Sequence, residues 1–213
     1  KSQEKANELL LKAANLGHVS ANTKLASYYV DGTDGFEKDP VEAHFRASVA
    51  FALDEKSEYT ATWLGYFHLE HAIPEPSPYL ACYYCNIAAC NQENGLAGHM
   101  YSKALSRLYG HLYHVLILGF DAMPAAFFWA RKSRGKGCVE AMNEVKQWEI
   151  AGQKFCANCS KEAQADERYK QCSKCRSQWY CSKECQVEAW RAGHKRDCKR
   201  ATIQKFEDYL NAE

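Results

Sequence analysis

The chain contains no stretch of roughly 18 apolar residues, the minimum for a membrane-spanning helix, and Val115–Phe120, the longest notable run near its middle, is far too short. A secretory signal pattern is also missing, as are a phosphate-cradling glycine loop and a nucleophile elbow. Nothing in the pattern of residues supports catalysis, and the expectation is a non-enzyme. Charge of one sign is scarce too. The formal net charge is only +1, which argues against a dedicated nucleic-acid binder. An initiating methionine is absent and the first residues already fit a helical pattern, so the expectation is a fragment or processed form lacking upstream repeats.

What the chain does have is sulfur. Of its 11 cysteines, seven fall in a paired pattern near the C-terminus: Cys156-x2-Cys159, Cys172-x2-Cys175, Cys181-x3-Cys185, and Cys198 in His194-x3-Cys198. A disulfide framework is the alternative, but it belongs to short secreted domains, whereas these spacings sit in a chain of 213 residues without a signal pattern. Zinc is the better reading. Closed structural sites take four thiolate or imidazole ligands, and each short pair lets one turn of chain supply two neighbouring corners. Eight ligands therefore make two zinc sites with no vacancy for water. Spacing alone permits either a sequential or an interleaved assignment. A reducing compartment follows, cytoplasmic or nuclear.

Beyond the ligands, the segment Cys175-Arg-Ser-Gln-Trp-Tyr-Cys181-Ser-Lys-Glu-Cys185-Gln-Val-Glu-Ala-Trp190-Arg-Ala-Gly-His194 resembles the MYND zinc finger, down to Tyr180, Ser182, Gln186, Trp190 and Lys195. The gap of twelve residues between Cys159 and Cys172 is slightly long for that family. The resemblance spans about residues 153–200 and implies an interleaved cross-brace: Cys156, Cys159, Cys181 and Cys185 on one zinc, Cys172, Cys175, His194 and Cys198 on the other. In that arrangement each metal closes a larger loop, tying a hairpin around 170–180 to a helix starting near Ser182. So small a segment buries too little apolar surface to fold alone, and zinc at roughly 10–16 kcal/mol per site would supply most of its folding free energy.

In MYND fingers of the transcriptional corepressor kind, the residues matching Gln186 and Trp190 hold a proline-rich PxLxP peptide that adds as a strand beside the hairpin, here near Ser177 and Gln178. Gln186 and Trp190 are four residues apart and share one helix face, expected to be exposed. The competing reading makes Trp190 an anchor for the finger on the repeat helices or on the C-terminal helix. The family's methyltransferases carry the finger inside a larger SET domain, and no SET-like motif surrounds it here. Lys170, Lys174, Arg176, Arg191, Lys195, Arg196, Lys199 and Arg200 could meet phosphates, but Glu184, Glu188 and Asp197 are interspersed, and a solvated face is the better reading.

The first 150 residues hold 14 Lys plus Arg against 17 Asp plus Glu, net −3, and the remainder 13 against 9, net +4. That first part repeats with a period near 40. One helix recurs as Ala21, Leu25, Ala26, Tyr29; Thr60, Leu64, Gly65, His68; Tyr101, Leu105, Ser106, Tyr109; and more weakly Ala141, Val145. A second carries small residues seven apart, Ala6 and Ala13, Ala43 and Ala50, Ala81 and Ala88, Ala126 and Ser133, the last three after Pro40, Pro78 and Pro124. Proline suits a first helical turn, and small residues two turns apart let helices approach closely. The aromatic stretches 81–85 and 126–129 would fill the spaces between them. Two helices per unit describe an α-solenoid, and Lys12–Ala21 with the Tyr29–Gly32 turn looks like the Sel-one-like repeat, a relative of the tetratricopeptide repeat. The turns Ile73–Pro78 and Gly110–Met123 are lengthened. His68-x2-His71, His111-x2-His114, Cys82, Cys85 and Cys90 read as packing rather than metal or redox sites.

The expected architecture is thus an all-α helical-repeat solenoid over 1–150, a zinc-stabilised α+β finger over 153–200, and a C-terminal helix within 201–213, from Ala201 to Leu210. As a function this suggests a protein–protein adaptor that binds a protein or proline-rich peptide; the alternatives are a subunit of a larger assembly and a nucleic-acid-associated transcriptional regulator.

Overall fold

The computed structural model describes residues 2–70, 75–91, 95–110 and 120–212. His71, His111 and His114, the Tyr109 side chain, residues 73–74 of the first lengthened turn and 111–119 of the second lie outside the described residues. The chain divides into two compact units, Lys1–Asn91 and Gln92–Glu213.

Five helices make the first unit: α1 (Ser2–Asn15), α2 (Val19–Asp31), α3 (Pro40–Leu53), α4 (Glu58–Glu70) and α5 (Pro78–Asn91). Local chemistry sets their ends. Asp39 accepts hydrogen bonds from the N–H groups of Val41 and Glu42, both at 3.0 Å, with Pro40 in the first turn of α3. Gly32, at φ 68°, closes α2 by donating its N–H to the Tyr28 carbonyl. The repeat positions form the core: Leu25, Ala26, Ala43, Ala50, Thr60, Ala81 and Ala88 are fully enclosed. Gly65 shows why a small residue recurs, since a Cβ there would stand 2.4 Å from Cys85 Sγ. Ala6 departs from the pattern and is exposed.

The second unit begins with α6 (Leu96–Gly110), α7 (Met123–Gly135) and α8 (Val139–Gly152). Gly98 lies against α7, where an added Cβ would meet Ser133 Oγ at 2.5 Å. Tyr101, Leu105, Ala126, Trp129, Ala141 and Val145 are buried, and the Tyr101 and Trp129 rings meet edge to face at 5.1 Å. Among the described residues, every helix expected from the repeat is present. The finger follows: an antiparallel pair β1 (Lys170–Gln171) and β2 (Trp179–Tyr180), registered Lys170 to Tyr180 and Gln171 to Trp179, then α9 (Lys183–Ala189). Ser182 caps α9, accepting the Cys185 N–H at 3.2 Å. A wide π-type turn, Trp190–His194, joins α9 to α10 (Lys195–Arg200), and Gly193 leaves helical geometry there at φ 151°. The terminal helix is shorter than expected. Ala201–Lys205 turn away from helical geometry, and α11 spans only Phe206–Asn211, with Phe206 and Tyr209 buried. No described helix is long and apolar enough to cross a membrane.

Candidate metal centre and its docking face

Each Cys-x2-Cys pair sits on a tight knuckle of the same backbone. Ser160 donates its N–H to the Cys156 carbonyl at 2.9 Å, and Arg176 donates to the Cys172 carbonyl at 3.0 Å. Both closing residues take left-handed φ, 58° at Ser160 and 53° at Arg176, a conformation that costs a residue with a side chain about 1 kcal/mol or more. The knuckles therefore hold a specific shape, with two sulfurs on one side of each.

The hairpin and α9 bring these knuckles to their partners. Cys156, Cys159, Cys181 and Cys185 place their sulfurs within 4.8 Å of one another, and Cys172, Cys175, His194 and Cys198 do the same with their ligand atoms. Geometry decides the donor set. Four sulfurs about 2.3 Å from a central zinc lie about 3.8 Å apart, and a sulfur and an imidazole nitrogen about 3.6 Å. The first set shows Cys159 to Cys181 at 3.7 Å and Cys181 to Cys185 at 3.5 Å; the second shows Cys175 Sγ to His194 Nε2 at 3.6 Å. Both clusters are already the size of a zinc tetrahedron, and their thiol and imidazole donors suit that ion. The interleaved grouping is what the folded chain brings together.

Outer groups orient these ligands. Ser177 donates its hydroxyl to Cys175 Sγ at 3.2 Å, and the Cys181 N–H points to Cys156 Sγ at 3.5 Å. Burial opposes ionisation of Cys156, yet the N–H groups of Cys159, Cys181 and Asn158 bring its thiol down to about 6. Cys172 is lowered likewise, against burial, by the N–H groups of Cys175 and Lys174. Burial pushes Cys175 up to about 12. Each set thus contains one sulfur whose ionisation the surrounding N–H groups favour, and a bound cation would favour the thiolate form of the others.

The finger docks on α7 and α8 through contacts that no motif marked. Trp179, 4% exposed, lies against Gly152 so closely that a Cβ there would stand 2.3 Å from its ring, and its ring centre is 5.9 Å from that of Phe127. Arg131 on α7 donates to the carbonyls of Cys175 and Arg176, is paired with Glu149 on α8 at 3.0 Å, and lies over the Phe127 ring at 4.9 Å. Gln178 donates to Asp121 Oδ2 at 2.6 Å, while Asp121 Oδ1 caps α7 by accepting the Met123 N–H. Burial raises the Asp121 carboxyl to about 7. Arg200, counted above among the basic residues, is 8% exposed with its guanidinium 4.7 Å over Phe120, so it does not belong to a solvated face.

The four residues proposed for peptide contact divide into two pairs. Ser177 is 5% exposed, with its hydroxyl on Cys175, and the Gln178 amide is held by Asp121. Gln186 and Trp190 are half-buried on α9 and the π-type turn rather than fully exposed. Trp190 meets His194 edge to face at 5.8 Å and lies under the Lys174 ammonium at 5.7 Å, both contacts within the finger.

Residues 156–198 match the family model of the MYND finger, a protein-interaction module, and that match covers the finger alone. No solved structure matches the chain.

Proposed function

We propose that this chain is a non-enzymatic adaptor whose finger, holding two structural zinc ions in the interleaved sets, binds a proline-rich PxLxP-like peptide, and whose helical pairs are Sel-one-like repeats of a solenoid offering a second contact surface. The observation that carries this reading is the division of labour between two tryptophans. Trp179 takes the attachment to α7 and α8, which leaves Trp190, with Gln186 one turn before it, as a half-buried aromatic and amide pair that has no part in that attachment. An aromatic face beside a short strand suits prolines and a leucine, which present apolar surface at low ordering cost. Ser177 and Gln178 would contribute main-chain groups alone, since their side chains are engaged. The zinc ions fix the fold and carry no chemistry, because each set is complete with four protein ligands. Thiolate ligands of this kind belong in a reducing compartment, cytoplasm or nucleus.

The test is an NMR titration of the zinc-loaded chain with a PxLxP peptide. Shifts centred on Gln186 and Trp190, lost in Gln186→Ala and Trp190→Ala with the fold retained, are the expected result; an unresponsive finger overturns the peptide reading.

A further inference from the structure

The two ligand sets share one local backbone and differ in their surroundings. In the second set Cys172, His194 and Cys198 are buried, at 2%, 8% and 6% exposure, and Cys175 is half-buried. Its knuckle is gripped from outside the finger: Arg131, itself fixed by Glu149 and Phe127, donates to the Cys175 and Arg176 carbonyls. Tyr180 at 1% exposure and Trp190 close over the His194 ring at 6.0 and 5.8 Å. Opening this set requires parting the finger from α7.

In the first set only Cys156 is buried; Cys181 and Cys185 are half-buried, and Cys159 is exposed. The knuckle that carries Cys159 is closed by bonds inside the finger, Cys156 N–H to the Lys161 carbonyl and Ala157 N–H to the Trp179 carbonyl, with Asn158 bonded to Glu188 across the surface. Local opening free energies follow this kind of difference: few enclosing contacts mean frequent opening, whereas a set built into the docked core opens only with the core.

We propose that Cys156, Cys159, Cys181 and Cys185 form an exchangeable zinc site, with Cys159 Sγ the atom at which soft electrophiles enter, while Cys172, Cys175, His194 and Cys198 form a permanent one. This rests on the two-zinc reading above. The entry step is an addition at sulfur: the Cys159 thiolate forms an S–C bond to an activated alkene, the alkene π bond breaks, its carbanion takes a proton from water, and the zinc–sulfur bond is given up. Three remaining ligands hold the ion less well, and a competing chelator removes it. The consequence reaches the peptide face, because Cys181 and Cys185 bracket the start of α9, and loss of this zinc frees the helix that carries Gln186 while the finger stays docked. Electrophile or zinc-acceptor chemistry at one exposed sulfur would then switch peptide binding without detaching the finger.

The test uses the full chain loaded with zinc, treated with N-ethylmaleimide in the presence of a chromogenic chelator, and followed by native mass spectrometry and peptide mapping. The starting mass must show two zinc ions; fewer would overturn the two-zinc reading, and this proposal with it. The expected course is one zinc released more than roughly tenfold faster than the other, through a one-zinc species that, among the seven ligand cysteines, is labelled first at Cys159 and protected at Cys172, Cys175 and Cys198. Arg131→Ala should accelerate loss of the second zinc and leave the first unchanged. Concerted loss of both ions, label spread evenly over the seven cysteines, or first labelling in the second set overturns the proposal.

Discussion

Truncating Trp179 to alanine removes a large aromatic, 4% exposed, from between Phe127 and Gly152, and should destabilise the second unit by about 3–5 kcal/mol. Trp190→Ala, at a half-buried ring, should cost clearly less, so denaturant midpoints of the two variants rank the anchors directly. Asp121 makes a pH prediction at the same scale. Burial raises its carboxyl to about 7, above the value of about 3.9 in an unfolded chain, so its stabilising contribution is complete below about pH 4 and is lost as pH rises through 7. Asp121→Asn, which keeps the Met123 cap, should therefore gain melting temperature relative to the parent between about pH 5 and about pH 8; a constant offset across that range would contradict the assignment. The pairings of these residues had no signature in the sequence. Arg131 meets Cys175 across 44 positions and Gln178 meets Asp121 across 57, and no periodicity or ligand spacing connects such partners.

Elements show the opposite balance, because what sets them is local. The small residues seven apart, the prolines and the capping residues lie within one helix each, and α1 to α8 stand where the repeat places them among the described residues. Cys-x2-Cys spacing likewise specifies a knuckle, and Ser182 specifies the start of α9. The terminal helix starts later than expected: the β-branched Thr202 and Ile203 are weaker helix formers, and α11 begins at Phe206, which with Tyr209 packs against Tyr101 and Phe120. Ala6 matches the later packing positions in spacing, yet it is exposed. At this scale the N-caps give a test of modest size. Asp39→Ala removes both hydrogen bonds at the start of α3 and should cost about 1 kcal/mol, seen as a lower melting midpoint of the first unit with finger zinc content unchanged.

At the scale of the molecule, metal and apolar core divide the work between two units. The first unit has its own apolar clusters, around Leu25 and around Ala26, Ala43, Ala47, Leu64 and Phe67, and no ligand of either metal set. The second joins helices and finger in one cluster that runs from Phe127 through Trp179 and Tyr180 to the sulfurs of Cys156, Cys172 and Cys198. Full removal of zinc at neutral pH should therefore unfold residues 153–200 and lower the melting temperature of α6 to α8, while most helical circular dichroism and the first unit's transition survive. Loss of all helix on chelation would contradict this division. Acid should act in the same direction, because protons compete with zinc for thiolate and imidazole.

The interleaved pairing of ligands underlies the docking, the accessibility difference and the peptide face alike, so it is the claim to test first. Substituting cadmium for zinc and recording the metal-to-proton couplings by NMR assigns each ligand to its ion. One cadmium coupled to Cys156, Cys159, Cys181 and Cys185, and a second coupled to Cys172, Cys175, His194 and Cys198, is the predicted result. A cadmium shared by Cys156, Cys159, Cys172 and Cys175 would contradict it.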